Sequence, residues 1–170
     1  NGELGLRAAL GDWLRGEATA FLMDFENEVI PGSGAGAVTS EYVNGGATRR
    51  FGVEAAAHAD LGRALGRPWS VYADLRYTWV DARFTGGDFE GNAVPYAPPH
   101  TLRAVLGFDL PKWGLGAQAG WSYTASHFAD RANVVEESED GRSGAIAAFQ
   151  NLDLTARYQH RGTGLGLAVS

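Results

Sequence analysis

Several sequence features that would indicate a function are missing from this chain of 170 residues. It has no cysteine, which excludes disulfides and thiolate-bound metals. It carries 14 basic residues against 20 acidic ones, so its formal net charge is −6. Because no basic stripe exists to neutralise phosphates, a nucleic-acid partner is disfavoured.

Catalytic and cofactor motifs are missing too. The sequence has no Gly-x-Ser-x-Gly elbow, no His-Glu-x-x-His and no P-loop. The glycine-rich stretch 32–36 lacks the lysine and the helix pattern of a phosphate-binding loop. The acidic stretch 136–140 lacks the ligand spacing of an EF-hand. We therefore expect no enzyme activity, no cofactor and no metal site.

Long apolar runs are also absent, and none approaches the ~20 residues of a membrane helix. Membrane strands need only about 9–11 residues and hide their lipid-facing side chains by alternation. Residues 69–79 (WSVYADLRYTW) show that alternation, with apolar or aromatic side chains at every odd position. Because tryptophan stands at both ends of the apolar series, the segment predicts a strand that crosses a bilayer.

Period-two alternation recurs along the chain and predicts about eight strands. The predicted strands lie at about 3–10, 16–29, 42–62, 69–84, 100–110, 115–128 and 149–160, with a last strand after residue 163. The phase of the second is ambiguous, since Phe21, Met23 and Phe25 favour one face while Ala18, Ala20 and Leu22 favour the other. Residues 53–66 also have helical propensity, which the period of two outweighs.

The connections alternate in length, and such alternation distinguishes outer-membrane barrels from soluble β-sandwiches. Short turns are predicted near 11–15, 63–68, 111–114 and 161–163, and long loops at 30–41, 85–99 and 129–148. Outer-membrane barrels sort their connections in this way, with short periplasmic turns and long extracellular loops. The sequence therefore predicts an all-β, antiparallel, up-and-down transmembrane β-barrel segment.

Four stretches resemble strands of the TonB-dependent outer-membrane receptors, in order and in spacing. They are residues 3–7 (ELGLR), 42–54 (YVNGGATRRFGVE), 77–84 (YTWVDARF) and 91–102 (GNAVPYAPPHTL). Together they cover most of residues 1–110, and the pattern is similar to that of the ferric citrate and siderophore receptors.

The resemblance implies a 22-stranded barrel around a plug domain in the bacterial outer membrane. Such receptors import a ferric chelate with energy from the TonB complex. The partners expected from it are the lipid bilayer, the TonB complex through the plug, and a ferric chelate ligand. Residues 1–170 are then expected to be a fragment of the barrel domain, without the plug and without the terminal strand.

Two alternatives stay open at this stage. The first is a self-contained eight-stranded outer-membrane barrel, structural or lipid-modifying, since eight strands can close around their own side chains. A lipid enzyme would need a Ser/His/Asp cluster at one rim, and none is evident. The second is a soluble β-sandwich binding module, whose aromatic faces would be buried.

Two sets of candidate residues follow from the barrel interpretation. Cations near the extracellular mouth are candidate contacts for an anionic ferric chelate: Arg83, His127, Arg131 and Arg142. Aromatic residues at strand ends are candidate membrane-interface side chains: Trp69, Tyr77, Trp79, Trp121 and Tyr123.

Overall fold

Period-two alternation along the chain produces one antiparallel sheet of eight strands. The structure is a computed structural model, and it describes residues 1–31, 42–139, 143–160, 162–163 and 165–170. In chain order the elements are β1 (Gly2–Leu10), β2 (Leu14–Phe25), β3 (Val29–Pro31), β4 (Tyr42–Asn44), β5 (Thr48–Asp60), α1 (Leu61–Ala64), β6 (Ser70–Phe84), β7 (His100–Leu110), β8 (Leu115–Thr124), β9 (His127–Phe128), β10 (Ala145–Ile146), β11 (Phe149–Gln159) and β12 (Gly166–Val169).

The large sheet has the order β1-β2-β5-β6-β7-β8-β11-β12, so each of its strands pairs with the strands of this sheet that precede and follow it along the chain. Two small ladders, β3–β4 and β9–β10, lie within the long connections. In the described part of the chain no ladder joins β1 to β12, and the sheet is open. Neither the closed eight-stranded barrel nor the two-layer sandwich is therefore the architecture of this chain.

The register places the apolar series of the strands of the large sheet on one side, here called the apolar face, except that Phe21, Met23 and Phe25 of β2 lie on the opposite side. Its members face one another across the ladders, as in the row Ala59, Ala73, Leu106, Ala119 and Leu154. The opposite side, here called the polar face, carries most of the charged side chains of the strands. One row on it contains His58, Asp74, Val105, Gly120 and Asp153.

Several predicted strand bounds were wrong at their ends. The segment predicted as one strand over 42–62 is divided into β4 and β5, and its last residues form the single helical turn α1. Asp60 caps that turn, since its Oδ1 accepts the Arg63 N–H at 3.1 Å. The strand predicted over 16–29 runs from Leu14 to Phe25, and the strand predicted over 115–128 ends at Thr124. Among the described residues, no helix is long and apolar enough to span a bilayer.

The buried core lies at one end of the polar face. Phe84, Ala82, Val94 and Ile30 form its cluster. Phe84 and Ala82 belong to β6, and their register partners Thr48 and Arg50 place them on the polar face. The long connections supply the other two residues, so these connections fold over the polar face at what is here called the loop end of the sheet. The opposite end, with the short connections, is the turn end.

Candidate ligand-binding surface

The polar face is held together by ion pairs between neighbouring or nearby strands. His58 Nδ1 lies 2.8 Å from Asp74 Oδ1, its direct partner in the β5–β6 ladder. At the turn end, Arg157 Nη2 donates to Asp109 Oδ2 over 2.5 Å, which links β11 to β7 across β8. Two longer pairs join Arg7 to Glu17 at 3.2 Å and Arg103 to Asp153 at 3.7 Å. This network pairs many of the charged side chains on the polar face with one another.

Large side chains on this face lie flat over glycines. The Tyr72 ring covers Gly107, where an added Cβ would come within 2.5 Å of the ring. From that position the Tyr72 hydroxyl donates to Gln118 Oε1 at 3.1 Å, and the ring stacks on His58 with centroids 6.3 Å apart. Glycine at position 107 is therefore what allows a tyrosine on β6 to reach β8.

Between β1 and β6 the polar face forms an open recess of about 890 Å³. The side chains that line it carry both signs of charge, with Arg7, Arg15 and Arg76 among the cations and Glu17 and Glu54 among the anions. Arg76 is exposed, and it makes no ion pair with any residue that the structure describes. Such a surface suits a hydrophilic solute or a polar protein partner rather than a lipid.

The long connections at the loop end form a folded unit, here called the loop cap. It consists of the described parts of residues 26–47, 85–99 and 125–148. Val43, Val80, Phe89 and Ala97 pack against its buried core. Glu28 attaches the first connection to β5, because its carboxylate accepts hydrogen bonds from Thr48 and Arg50.

Asn133 joins the second and third connections of the loop cap. Its Oδ1 accepts the Ala93 N–H at 2.7 Å, and its Nδ2 donates to the Ala93 carbonyl at 3.0 Å. Asn133 has a φ of 55°, and Tyr96, whose N–H donates to the Phe128 carbonyl at 2.9 Å, has a φ of 56°. Both residues therefore hold left-handed backbone, which is unfavourable away from glycine, at the seam between the two connections.

Asp130 organises the third connection from within. It is 3% exposed, and its carboxylate accepts the Gly144 N–H at 2.9 Å and the Val134 N–H at 3.4 Å. Sequence reasoning missed Asp130, Asn133 and Glu28 as structural residues. Their roles depend on segments far apart in the chain, so no local pattern reveals them.

The candidate ligand contacts that the structure describes lie in two places. Arg83 lies on the apolar face, paired in register with Arg49, and Arg142 lies outside the described residues. His127 is half-buried in the loop cap, where its Nδ1 lies 3.0 Å from the Ala125 carbonyl. Arg131 also belongs to the loop cap, with its guanidinium 4.9 Å from the centroid of the Phe89 ring. Its Nε is buried and has no hydrogen-bond partner in the part of the chain that the structure describes.

The candidate interface aromatics all belong to the apolar face or its turn-end margin. Trp79 makes an edge contact with Phe51 at 5.4 Å, and Tyr77 lies two residues below on the same face. Trp121 and Tyr123 stack at 6.4 Å on β8. Trp69 precedes β6 at the turn end. Their membrane-interface role stays a prediction.

Across the described ranges, no group of three or more histidine or acidic side chains is arranged to hold a metal ion. With an open sheet, one apolar face and a capped polar face, the chain has the architecture of a wall segment of an outer-membrane barrel. Residues 1–170 match the family model described as TonB dependent receptor-like, beta-barrel. The chain belongs to that family, whose members are bacterial outer-membrane transporters and not enzymes.

Two solved structures show the same fold. The first is the ferric citrate transporter FecA in its unliganded form, with a TM-score of 0.74 and 32% identity over 98% of this chain and 24% of that one. The second is the siderophore receptor PiuA from Acinetobacter baumannii, with a TM-score of 0.63 and 19% identity over 92% of this chain and 21% of that one. The chain spans less than a quarter of the length of either. In this family's geometry the apolar face contacts lipid and the polar face lines the barrel interior.

Proposed function

We propose that this chain is part of the barrel wall of a transporter that imports ferric citrate or a ferric siderophore across the outer membrane. In this proposal the remaining strands and a plug domain belong to the same polypeptide. The plug contacts the TonB complex, whose energy rearranges it and opens the path. The chain itself supplies wall and vestibule.

The observation that carries the proposal is the 32% identity to a ferric citrate transporter over 98% of this chain. The polar face adds physical support. Its paired charges and its recess of about 890 Å³ give a hydrophilic solute a compatible surface, while the opposite face is suited to lipid. The loop cap then stands where an incoming ligand first meets the barrel.

Uptake in cells tests the proposal. The gene that encodes this chain is deleted, and transport of radioactive iron is measured with ferric citrate, a ferric hydroxamate and a ferric catecholate as separate substrates. We expect the deletion to abolish high-affinity uptake of one of the three chelates, and we expect a strain without TonB to show the same loss. Unchanged uptake of all three would overturn the proposal.

Within the loop cap, His127 and Arg131 are proposed as contacts for the anionic chelate. Among the described residues Arg131 Nε is a buried donor without a hydrogen-bond partner, and His127 Nδ1 lies 3.0 Å from the Ala125 carbonyl. An imidazole or guanidinium that binds an anion contributes about 1.5–3 kcal/mol. Replacing His127→Ala should therefore weaken binding of the chelate by about tenfold or more.

His160 provides the matched control for that variant. It lies at the turn end, with its Nδ1 3.0 Å from Thr163 Oγ1. We expect His160→Ala to leave the affinity of the purified receptor for the chelate unchanged. If both variants and the parent bind the chelate with equal affinity, His127 is not part of the binding site. The uptake experiment tests the transport function separately from that result.

A further inference from the structure

The apolar face ends, toward the loop end, in two arginines that face each other. Arg49 of β5 and Arg83 of β6 are direct partners in the antiparallel ladder. They lie beyond Phe51 and Trp79 on the same face, so they follow the aromatic side chains in the direction away from the bilayer centre. Their guanidinium groups are therefore at the level of the lipid head groups.

Two carboxylates hold these arginines in place. Asp24 Oδ1 accepts the Arg49 Nε–H at 2.7 Å, and Asp81 Oδ1 accepts the Arg83 Nε–H at 2.8 Å. Arg83 also donates from Nη1 to the Gly91 carbonyl at 2.9 Å. Among the described residues nothing accepts from either Nη group of Arg49 or from Nη2 of Arg83. The arginines are oriented through Nε, and part of each guanidinium remains available.

Directly opposed like charges destabilise a strand pair. In this pair Asp24 and Asp81 offset the two positive charges, and the arginine side chains remain 57% and 56% exposed. An anion bound between them would use the N–H donors that the two carboxylates leave open. Guanidinium groups match the oxygens of a phosphate in both charge and geometry.

We propose that Arg49 and Arg83 bind the phosphate of an anionic lipid in the outer leaflet. The surface is continuous with the lipid-facing side chains below it, which fixes a lipid rather than a soluble anion as the occupant. Asp24 and Asp81 act as positioning residues that set the two guanidinium groups side by side. The site is independent of which ligand the transporter imports.

The same sheet contains a matched control pair. Arg76 and Arg103 are also directly opposed, in the β6–β7 ladder, but they lie on the polar face. Replacing either pair by alanine removes the same charge from the same kind of ladder position. Only the pair on the apolar face can reach a lipid head group, so the two double variants separate lipid binding from a general charge effect.

Lipid binding is measured on the intact receptor in detergent, by titration with phosphorylated lipid A or with its dephosphorylated form. We expect the parent to prefer the phosphorylated lipid. In the Arg49→Ala/Arg83→Ala double variant, loss of the charge-assisted hydrogen bonds should weaken that binding by about tenfold or more. The Arg76→Ala/Arg103→Ala variant should keep the parent affinity.

Two results would overturn the proposal. One is an equal affinity for phosphorylated lipid A in the parent and in both double variants. The other is displacement of the lipid by inorganic phosphate at equal concentration, which would mark a soluble-anion site. If the alanine variant does not fold, Arg49→Lys/Arg83→Lys replaces it. That variant keeps the charge but loses the planar fork, and we expect a smaller, measurable loss of affinity.

Discussion

The two faces of the sheet are built from the same eight strands, yet they obey opposite rules of burial. Of the large apolar side chains that are exposed on this sheet, all but Phe149 lie on the apolar face. The buried Phe84 and Ala82 of β6 and the buried Thr48 of β5 all lie on the polar face, beneath the loop cap. The face with more apolar residues therefore has less protein packed against it.

The surrounding medium explains this reversal. Lipid tails solvate the apolar face, so its leucines and valines need no protein partners. The polar face borders the barrel interior, where its polar groups are satisfied by one another or by water. Apolar residues on that face are buried only where the loop cap covers them. Hydrophobicity and burial in the protein are therefore separate properties in this fold.

The strongest effect is expected for the side chains that are buried beneath the loop cap. Phe84→Ala should remove about 3–5 kcal/mol of packing from the loop cap. Since every 1.4 kcal/mol is tenfold, amide hydrogen exchange in residues 85–99 should accelerate by more than a hundredfold. Hydrogen–deuterium exchange with mass spectrometry of the intact receptor measures it.

Phe108→Ala is the control for that prediction. Phe108 lies on the apolar face of β7 and is 38% exposed. It is near the turn end of the strand, at the opposite end of the sheet from the loop cap. We expect exchange in residues 85–99 to stay at the parent rate in this variant. Equal acceleration in both variants would mean that the loop cap has no core of its own.

A charge introduced on neighbouring residues of β7 should distinguish the two faces by a smaller amount. Leu106 is on the apolar face and 66% exposed, so Leu106→Arg puts a cation into lipid at a cost of about 2–4 kcal/mol. Val105 is on the polar face with Asp74 as its register partner. An arginine there can pair with Asp74, so Val105→Arg should change the free energy of unfolding by less than about 1 kcal/mol, which is the size of a surface ion pair. The midpoint of urea unfolding in lipid vesicles is the measurement, and equal midpoints would contradict the assignment of the faces.

Alternation alone predicted most of the sheet, because a period of two is a local property of the sequence. The strands near 100–110 and 149–160 and the apolar series of β1 are where the pattern puts them. The loop cap was not predictable in the same way. Asn133 contacts Ala93, and Glu28 contacts Arg50, so the partners in each pair are separated by whole strands.

The ambiguous phase of β2 shows the same limit within a strand. Phe21 and Phe25 belong to the polar face, although they are among the most apolar residues of the segment. Phe21 lies against Gly52, and the Arg50 guanidinium lies 5.4 Å from the centroid of the Phe25 ring. Partners on β5 thus decide the phase of β2, and they are invisible from the sequence of β2 alone.

The smallest effect tests that contact between Phe21 and Gly52. A Cβ at position 52 would lie 2.5 Å from Phe21 Cζ and 2.5 Å from the Trp79 carbonyl oxygen, which belongs to the backbone of β6. Gly52→Ala should therefore destabilise the barrel by about 1–3 kcal/mol through overpacking. Gly16→Ala, on the apolar face, would place its Cβ 3.6 Å from the nearest atom, the Ala56 carbonyl oxygen. Because that is an ordinary contact, this control should be neutral or stabilising by up to about 1 kcal/mol. If both variants unfold at the parent urea concentration, Phe21 does not need the space at Gly52, and its place on the polar face would require another explanation.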